Sequence, residues 1–314
     1  MLTRFAVQTP LRLLTSSLYL SSLRPSSLQY QRAISNSTIR LDPSIFNPTL
    51  YKNATDIWLR DVDLSGQGLA MDVAKRWFTT SAVFDEECRN AFAHALDAIG
   101  PDKFPQASAQ PFIDEIRRVA EEDDDEEGVK TRGARKGKGE EAAWTALSLI
   151  LLLDQIPRNI YRTDGDLHKV YTHYDRISYA LALSLLYSTP VPRPDTHPLF
   201  RLSSAHRMWF ILPLMHSEEV SAHNLIDEIL AEYGGELERM EGYTGSKTFL
   251  ERQLKAEKSH REILERFGRY PHRNSALGRQ STEEEERFFA EGGATFGVGQ
   301  QKKEGITEPI VNVE

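Results

Sequence analysis

Apolar positions crowd most densely between Ala142 and Arg162, AAWTALSLILLLDQIPRNIYR. There Leu147, Leu149, Ile150, Leu151, Leu152 and Leu153 are broken only by Ser148. A helix apolar on nearly every side belongs in the middle of a core. Asp154 interrupts the run too soon for it to span a membrane. Pro157 has no amide hydrogen and crowds the preceding turn, so the helix should end or kink near Ile156. The polar residues that follow, Asp154, Gln155, Arg158, Asn159 and Arg162, form either a satisfied structural network or the floor of a site.

Helical spacing recurs on both sides of this run. Cys88, Phe92, Ala95, Leu96 and Ile99 fall on one face of a helix whose start carries Asp85, Glu86 and Glu87 and whose end meets Gly100-Pro101. Acids suit the N-terminal end of the helix dipole. Cys88 sits among these core positions and is read as packing rather than as a nucleophile. Val170, Tyr174, Ile177, Leu181 and Leu185 mark a helix from about Leu167 to Tyr187. Two helical pieces flank Pro213, and another helix runs from Phe249 to Phe267, closed by Gly268 as a left-handed cap. Ser281 and Thr282, with Glu284 and Glu285, cap a last short helix. No run of strand period competes, so the fold class is all-α, built of antiparallel helical hairpins.

Between these elements, residues 101–139 read as a disordered insertion. The acidic run Glu121 to Glu127 and the stretch VKTRGARKGKG have little apolar surface to bury, although PFIDEIRRVA has helical character. Residues 42–291 are then one helical domain, and 292–314 a flexible, Gly-rich tail. Residues 1–41 contain no Asp, Glu or Lys, but do contain Arg4, Arg12, Arg24, Arg32, Arg40 and many serines. An Arg- and Ser-rich, acid-free amphipathic segment has the make-up of a mitochondrial transit peptide, which predicts the matrix as location.

Composition narrows the function only a little. The 314 residues, 40% hydrophobic and 27% charged, carry a formal net charge of −8, which argues against general nucleic-acid binding. One cysteine excludes an internal disulfide and a Cys-based zinc cluster. No Walker loop, dinucleotide fingerprint or G-x-S-x-G elbow occurs, so no cofactor is implied.

The segments LLLDQIPRNIYR, LPLMHSEE and RFGRYPHRNSALGRQSTEEE resemble, in that order, the three signature blocks of domain-of-unknown-function family 924, found in bacteria and fungi. The resemblance spans roughly Trp77 to Phe296 apart from residues 101–139. It implies an all-helical, tetratricopeptide-like fold and no established activity. His223 departs from the family pattern, which favours glutamine there.

The third block gathers Arg266, Arg269, His272, Arg273 and Arg279 with no acid before Glu283. Guanidinium groups bind carboxylates and phosphates bidentately. These arginines therefore either tie the loop to Asp154, Asp175 or Glu218, or line a pocket for a small anionic or phosphorylated ligand. In the pocket reading, Asp154, Gln155, Arg158, Asn159, Arg162, Arg269, Arg273, Asn274 and Arg279 bind ligand. His216, oriented by Glu218, and His272 then serve as acid–base groups. His216, Glu218, Glu219, His223, His260 and His272 also form the residue set from which a metal site would be drawn, but no HExxH pattern supports one. The rival reading is a tetratricopeptide-like interaction module with a peptide partner and a structural polar lock. In either reading the three blocks meet in space, because Asp154 cannot lie unpaired beyond a buried apolar run.

Overall fold

Every residue from Ala142 to Pro157 is buried, and Leu147 and Leu149 to Leu153 expose no surface at all. The helix that carries them is therefore the axis of the core, as its composition requires. The computed structural model describes residues 40–67, 71–125, 139–187 and 193–296, and no strand occurs among them. The proposed transit segment falls outside the described residues as far as residue 39.

In chain order the helices are α1 (Pro48–Trp58), α2 (Met71–Phe78), α3 (Ala82–Ala98), α4 (Gln110–Asp125) and α5 (Glu140–Ile150). A π-helical turn (Leu151–Gln155) joins α5 to α6 (Ile156–Ile160). Next come α7 (Asp164–Lys169), a second π-turn (Val170–Tyr174) and α8 (Asp175–Tyr187). The remaining helices are α9 (Ser204–Arg207), α10 (Leu212–Met215), α11 (Val220–Glu238), α12 (Thr244–Phe267) and α13 (Glu283–Ala290).

Pro157 does not end the central helix at Ile156. The Ile156 amide reaches back to the Leu151 carbonyl, the five-residue register of a π-turn, and α6 then continues to Ile160. Pro157 stands in the first turn of α6, where a missing amide hydrogen costs little. The expected single helix at 167–187 likewise begins earlier, at Asp164, and carries a π-turn. π-turns concentrate at functional sites because they rotate the side chains that follow them.

The predicted disorder from residue 101 is also corrected. Helix α4 extends to Asp125, and Phe112 and Ile116 expose no surface. Phe112 meets Phe46 and Phe104 edge to face, each at 6.2 Å between ring centres. One turn of apolar spacing inside a charged segment was enough to dock it. Residues 126–138 lie outside the described residues.

Helices α11 and α12 form an antiparallel hairpin. Contacts pass from His223–Glu257 near one end, through Arg261 to Asn224 and Asp227, to Gly234–Leu250 near the other. Gly66 is required where the α1–α2 connection crosses this region. Its φ is +70°, and a Cβ would lie 2.3 Å from the Leu202 carbonyl oxygen. Cys88 is fully buried in the core face of α3, and burial pushes its thiol up to about 12, so it packs and does not react. No helix among the described residues is long and apolar enough to cross a membrane.

Candidate functional site

The first π-turn delivers Asp154 to the centre of the molecule with no exposed surface. Its Oδ1 lies 2.9 Å from His216 Nδ1 of the second block and 3.4 Å from the Ser178 hydroxyl. Its Oδ2 accepts from Gln155 Nε2. Arg158, one turn on, donates through Nη1 to the Asp154 carbonyl at 2.8 Å and to Asp175 Oδ1 at 2.7 Å. Its Nη1 is also 3.8 Å from the Asp154 carboxylate, so Pro157 does not turn Arg158 away from Asp154. Asp175 opens α8, directly after the second π-turn, and its Oδ2 faces Arg273 Nη1 of the third block at 3.6 Å. The three blocks therefore meet at Asp154 and Asp175.

Protonation follows from this packing. Burial acts to raise the Asp154 carboxyl, but His216 and Arg158 facing it outweigh burial and hold it down at about 2. Burial, with Arg158 adding its repulsion, pushes His216 below its ordinary value despite Asp154. The stable arrangement near neutral pH is an ionised Asp154 accepting from a neutral imidazole. A proton on Nδ1, shared with Asp154, leaves the Nε2 lone pair unused among the described residues. Asp154, not Glu218, orients His216, which corrects the expected pairing.

His216 lines a cavity of about 240 Å³. Gln155, Arg158, Asn159 and Arg162 of the first block line it too, as do His272 and Arg273 of the third. Helix α12 adds Arg252 and His260, two turns apart on one face. Trp77, Phe78, Met208, Ile211, Leu230 and Phe249 supply apolar wall. No Asp or Glu lines the cavity.

The arginines differ in how they are satisfied. Arg162 holds Asp85 through two hydrogen bonds, 3.0 and 2.7 Å, and Asn159 donates to the same carboxylate. Arg273 lies between the rings of Tyr171 and Tyr270, 4.5 and 5.0 Å from their centres, and donates to the His216 carbonyl at 2.8 Å. Its Nε and the Nη2 of Arg158 are buried with no partner. Among the described residues the Arg252 side chain has no hydrogen-bond or ion-pair partner, and its Nη1 is buried.

Five expected ligand-binding or catalytic residues do not line the cavity: Asp154, buried against His216, and Glu218, Arg269, Asn274 and Arg279. Gly268, in the left-handed conformation at φ +67°, ends α12 and turns the chain so that Arg269 meets Glu285 at 2.7 and 2.8 Å. Asn274 donates to the same carboxylate at 3.1 Å, and Thr282 and Glu285 complete a capping box on α13. Arg279 pairs bidentately with Glu218 at 2.9 and 2.8 Å, and Glu218 also accepts from the Tyr270 amide. Arg269, Asn274, Arg279 and Glu218 thus form a structural lock behind the cavity wall. His223 is spent on Glu257 at 2.7 Å. Among the described residues no group of three His, Cys, Asp or Glu is placed to hold a metal.

Burial lowers His260 to about 3 and His272 well below its ordinary value. Phe296 stacks on His260 with ring centres 4.1 Å apart, so this residue, expected in a flexible tail, forms part of the cavity wall. Residues 297–314 lie outside the described residues. Among the residues at the site that escaped the sequence reading are Arg252, Gln253, Tyr171, Tyr270 and Asp85. Arg252 had one usable signal, its position two turns before His260 on the same helical face.

The family model described as "Bacterial protein of unknown function (DUF924)" matches residues 55–293. No curated protein matches the chain. A solved structure of a protein of unknown function from Agrobacterium tumefaciens is similar at 23% identity and a TM-score of 0.46, covering 80% of this chain and 99% of that one.

Proposed function

We propose that this chain, which belongs to the DUF924 family, binds a small anionic ligand in the cavity where its three sequence blocks meet. One observation carries the reading: a cavity lined by arginines and by no carboxylate, with Arg252 lacking any partner. Arg252 is half-buried, and its Nη1, buried without a partner, is a donor that an anion in the cavity would satisfy. Arg158 and Arg273 reinforce the positive potential. The Asp154–His216 pair sets a neutral imidazole against the ligand, with Nε2 available to accept a proton.

The test uses 1-anilinonaphthalene-8-sulfonate, an organic anion, titrated against the purified full chain. Trp77 in the cavity wall provides an energy-transfer signal. Arg252→Gln should weaken binding at least tenfold. Arg266→Gln, which alters an exposed arginine paired with Glu284, should leave it unchanged. Equal binding by all three proteins contradicts the reading.

The acid-free N-terminal segment supports import into the mitochondrial matrix as part of the same proposal. A fluorescent fusion of residues 1–50 should enter mitochondria, and replacing Arg4, Arg12 and Arg24 by Glu should leave it outside. A cytosolic unmodified fusion removes this part.

A further inference from the structure

The charge balance around the cavity narrows the ligand class. This step rests on the reading of the cavity as an anion site. Four guanidinium groups line it: Arg158, Arg162, Arg252 and Arg273. The carboxylates within ion-pair distance of these arginines are three: Asp85 on Arg162, Asp154 on Arg158, and Asp175 on both Arg158 and Arg273. Of the neighbouring acids, Glu218 is held by Arg279, and Glu257 is bonded to His223 and lies 3.7 Å from Arg261, whose nearer partner is Asp227 at 2.6 Å. The histidines in the wall add no charge near neutral pH, because burial keeps His216, His260 and His272 low. Among the described residues, four lining cations thus meet three carboxylates at ion-pair distance, and Arg252 is the lining cation without a partner.

One excess charge suits a monoanion. A phosphate monoester brings two negative charges near pH 8 and would leave one of them facing the buried Asp154 and Asp175 carboxylates. The cavity, about 240 Å³, has room for a small organic body beside the cations. Beyond the cations the wall is mixed: Trp77, Met208, Ile211, Leu230 and Phe249 form an apolar part, and Thr79, Thr80, Gln155, Asn159 and Gln253 carry polar groups. Pockets of this kind bury an apolar body and fix its orientation through a few polar groups.

We infer that the cavity takes a monocarboxylate with an alkyl or aryl body, its carboxylate paired with Arg252 and its body against the Trp77–Phe249 wall. Arg252 presents a planar fork that a carboxylate can engage bidentately.

Isothermal titration of the full chain at pH 8 tests this with octanoate, neutral octanamide, octyl phosphate as the dianion, and inorganic phosphate. Octanoate should bind at least tenfold more tightly than each of the others. Arg252→Gln should reduce octanoate affinity tenfold or more while leaving octanamide unchanged, and Arg252→Lys should recover part of the loss. If octyl phosphate binds as tightly as octanoate and depends on Arg252, the anion site stands and the monocarboxylate assignment falls. If no anion binds, or if binding ignores Arg252, both readings fall.

Discussion

Two sets of arginines lie a few residues apart in the third block and behave as opposites. Arg269 and Arg279 point away from the cavity and are met by Glu285 and Glu218 in bidentate pairs. Arg273, between them in sequence, turns into the cavity. There it joins Arg158 and Arg252, each with a buried nitrogen that has no partner. The lock arginines are matched by carboxylates of the chain itself; the cavity arginines exceed theirs by one charge. The same residue type in the same segment therefore serves stability on one side of the wall and recognition on the other. The partner, not the arginine, decides which.

Asp154 belongs to both sets of consequences, so removing it should give the largest effect. Asp154→Ala leaves Arg158 and His216 facing a buried void and should destabilise the protein by about 3 kcal/mol or more in urea unfolding. A loss under about 1 kcal/mol would mean that the central polar cluster is not the keystone described here.

The lock comes next. Glu285→Ala deprives Arg269, Asn274 and the Thr282 amide of one shared acceptor, and should cost about 2 kcal/mol. Its acid response has a definite sign. The hydrogen bonds from Arg269 hold the Glu285 carboxyl near 2 against burial, below its ordinary 4.5. Its contribution is complete above about pH 4.5 and is lost as pH falls towards 2. Glu285→Gln should flatten the stability curve in that window.

The cavity responds in a different window. Burial depresses His260 from 6.5 to about 3, so the unfolded chain takes up a proton that the folded one refuses. Stability then falls as pH drops below 6.5, and the loss continues to about 3. His260→Gln should reduce that slope by up to about 1.4 kcal/mol per pH unit, most distinctly between 6.5 and 4.5, where Glu285 does not contribute. Coincident windows for the two variants would erase the distinction between lock and cavity.

Much of this arrangement was legible in the chain. The apolar run before Asp154 announced the buried axis, and the need to compensate Asp154 predicted that the blocks would meet. Gly268 and the Thr282–Glu285 box read directly as helix ends. The division of the third block was not legible. Periodicity places Arg269, Arg273 and Arg279 on one segment but does not say which side of a wall each faces. Arg252 looked like any charge on an amphipathic helix. Apart from its spacing to His260, nothing local distinguishes it from Arg261, which finds Asp227 across the hairpin at 2.6 Å. An absent partner is a property of the fold, not of the sequence around the residue. The π-turns were hidden for a similar reason, since Pro157 signals a break in register but not how tertiary packing resolves it.

Arg252 gives the sharpest contrast because its own loss should cost almost nothing. With no partner to orphan, Arg252→Gln should change stability by no more than about 0.5 kcal/mol, and relief of repulsion among the cavity arginines can make it a gain. Thermal unfolding of wild type and Arg252→Gln, each with and without saturating octanoate, tests the central claim most directly. Without ligand the variant should melt at or slightly above the wild-type temperature, and octanoate should raise the melting temperature of the wild type but not of the variant. An equal rise in both proteins, or a variant destabilised by several degrees before any ligand is added, would contradict it.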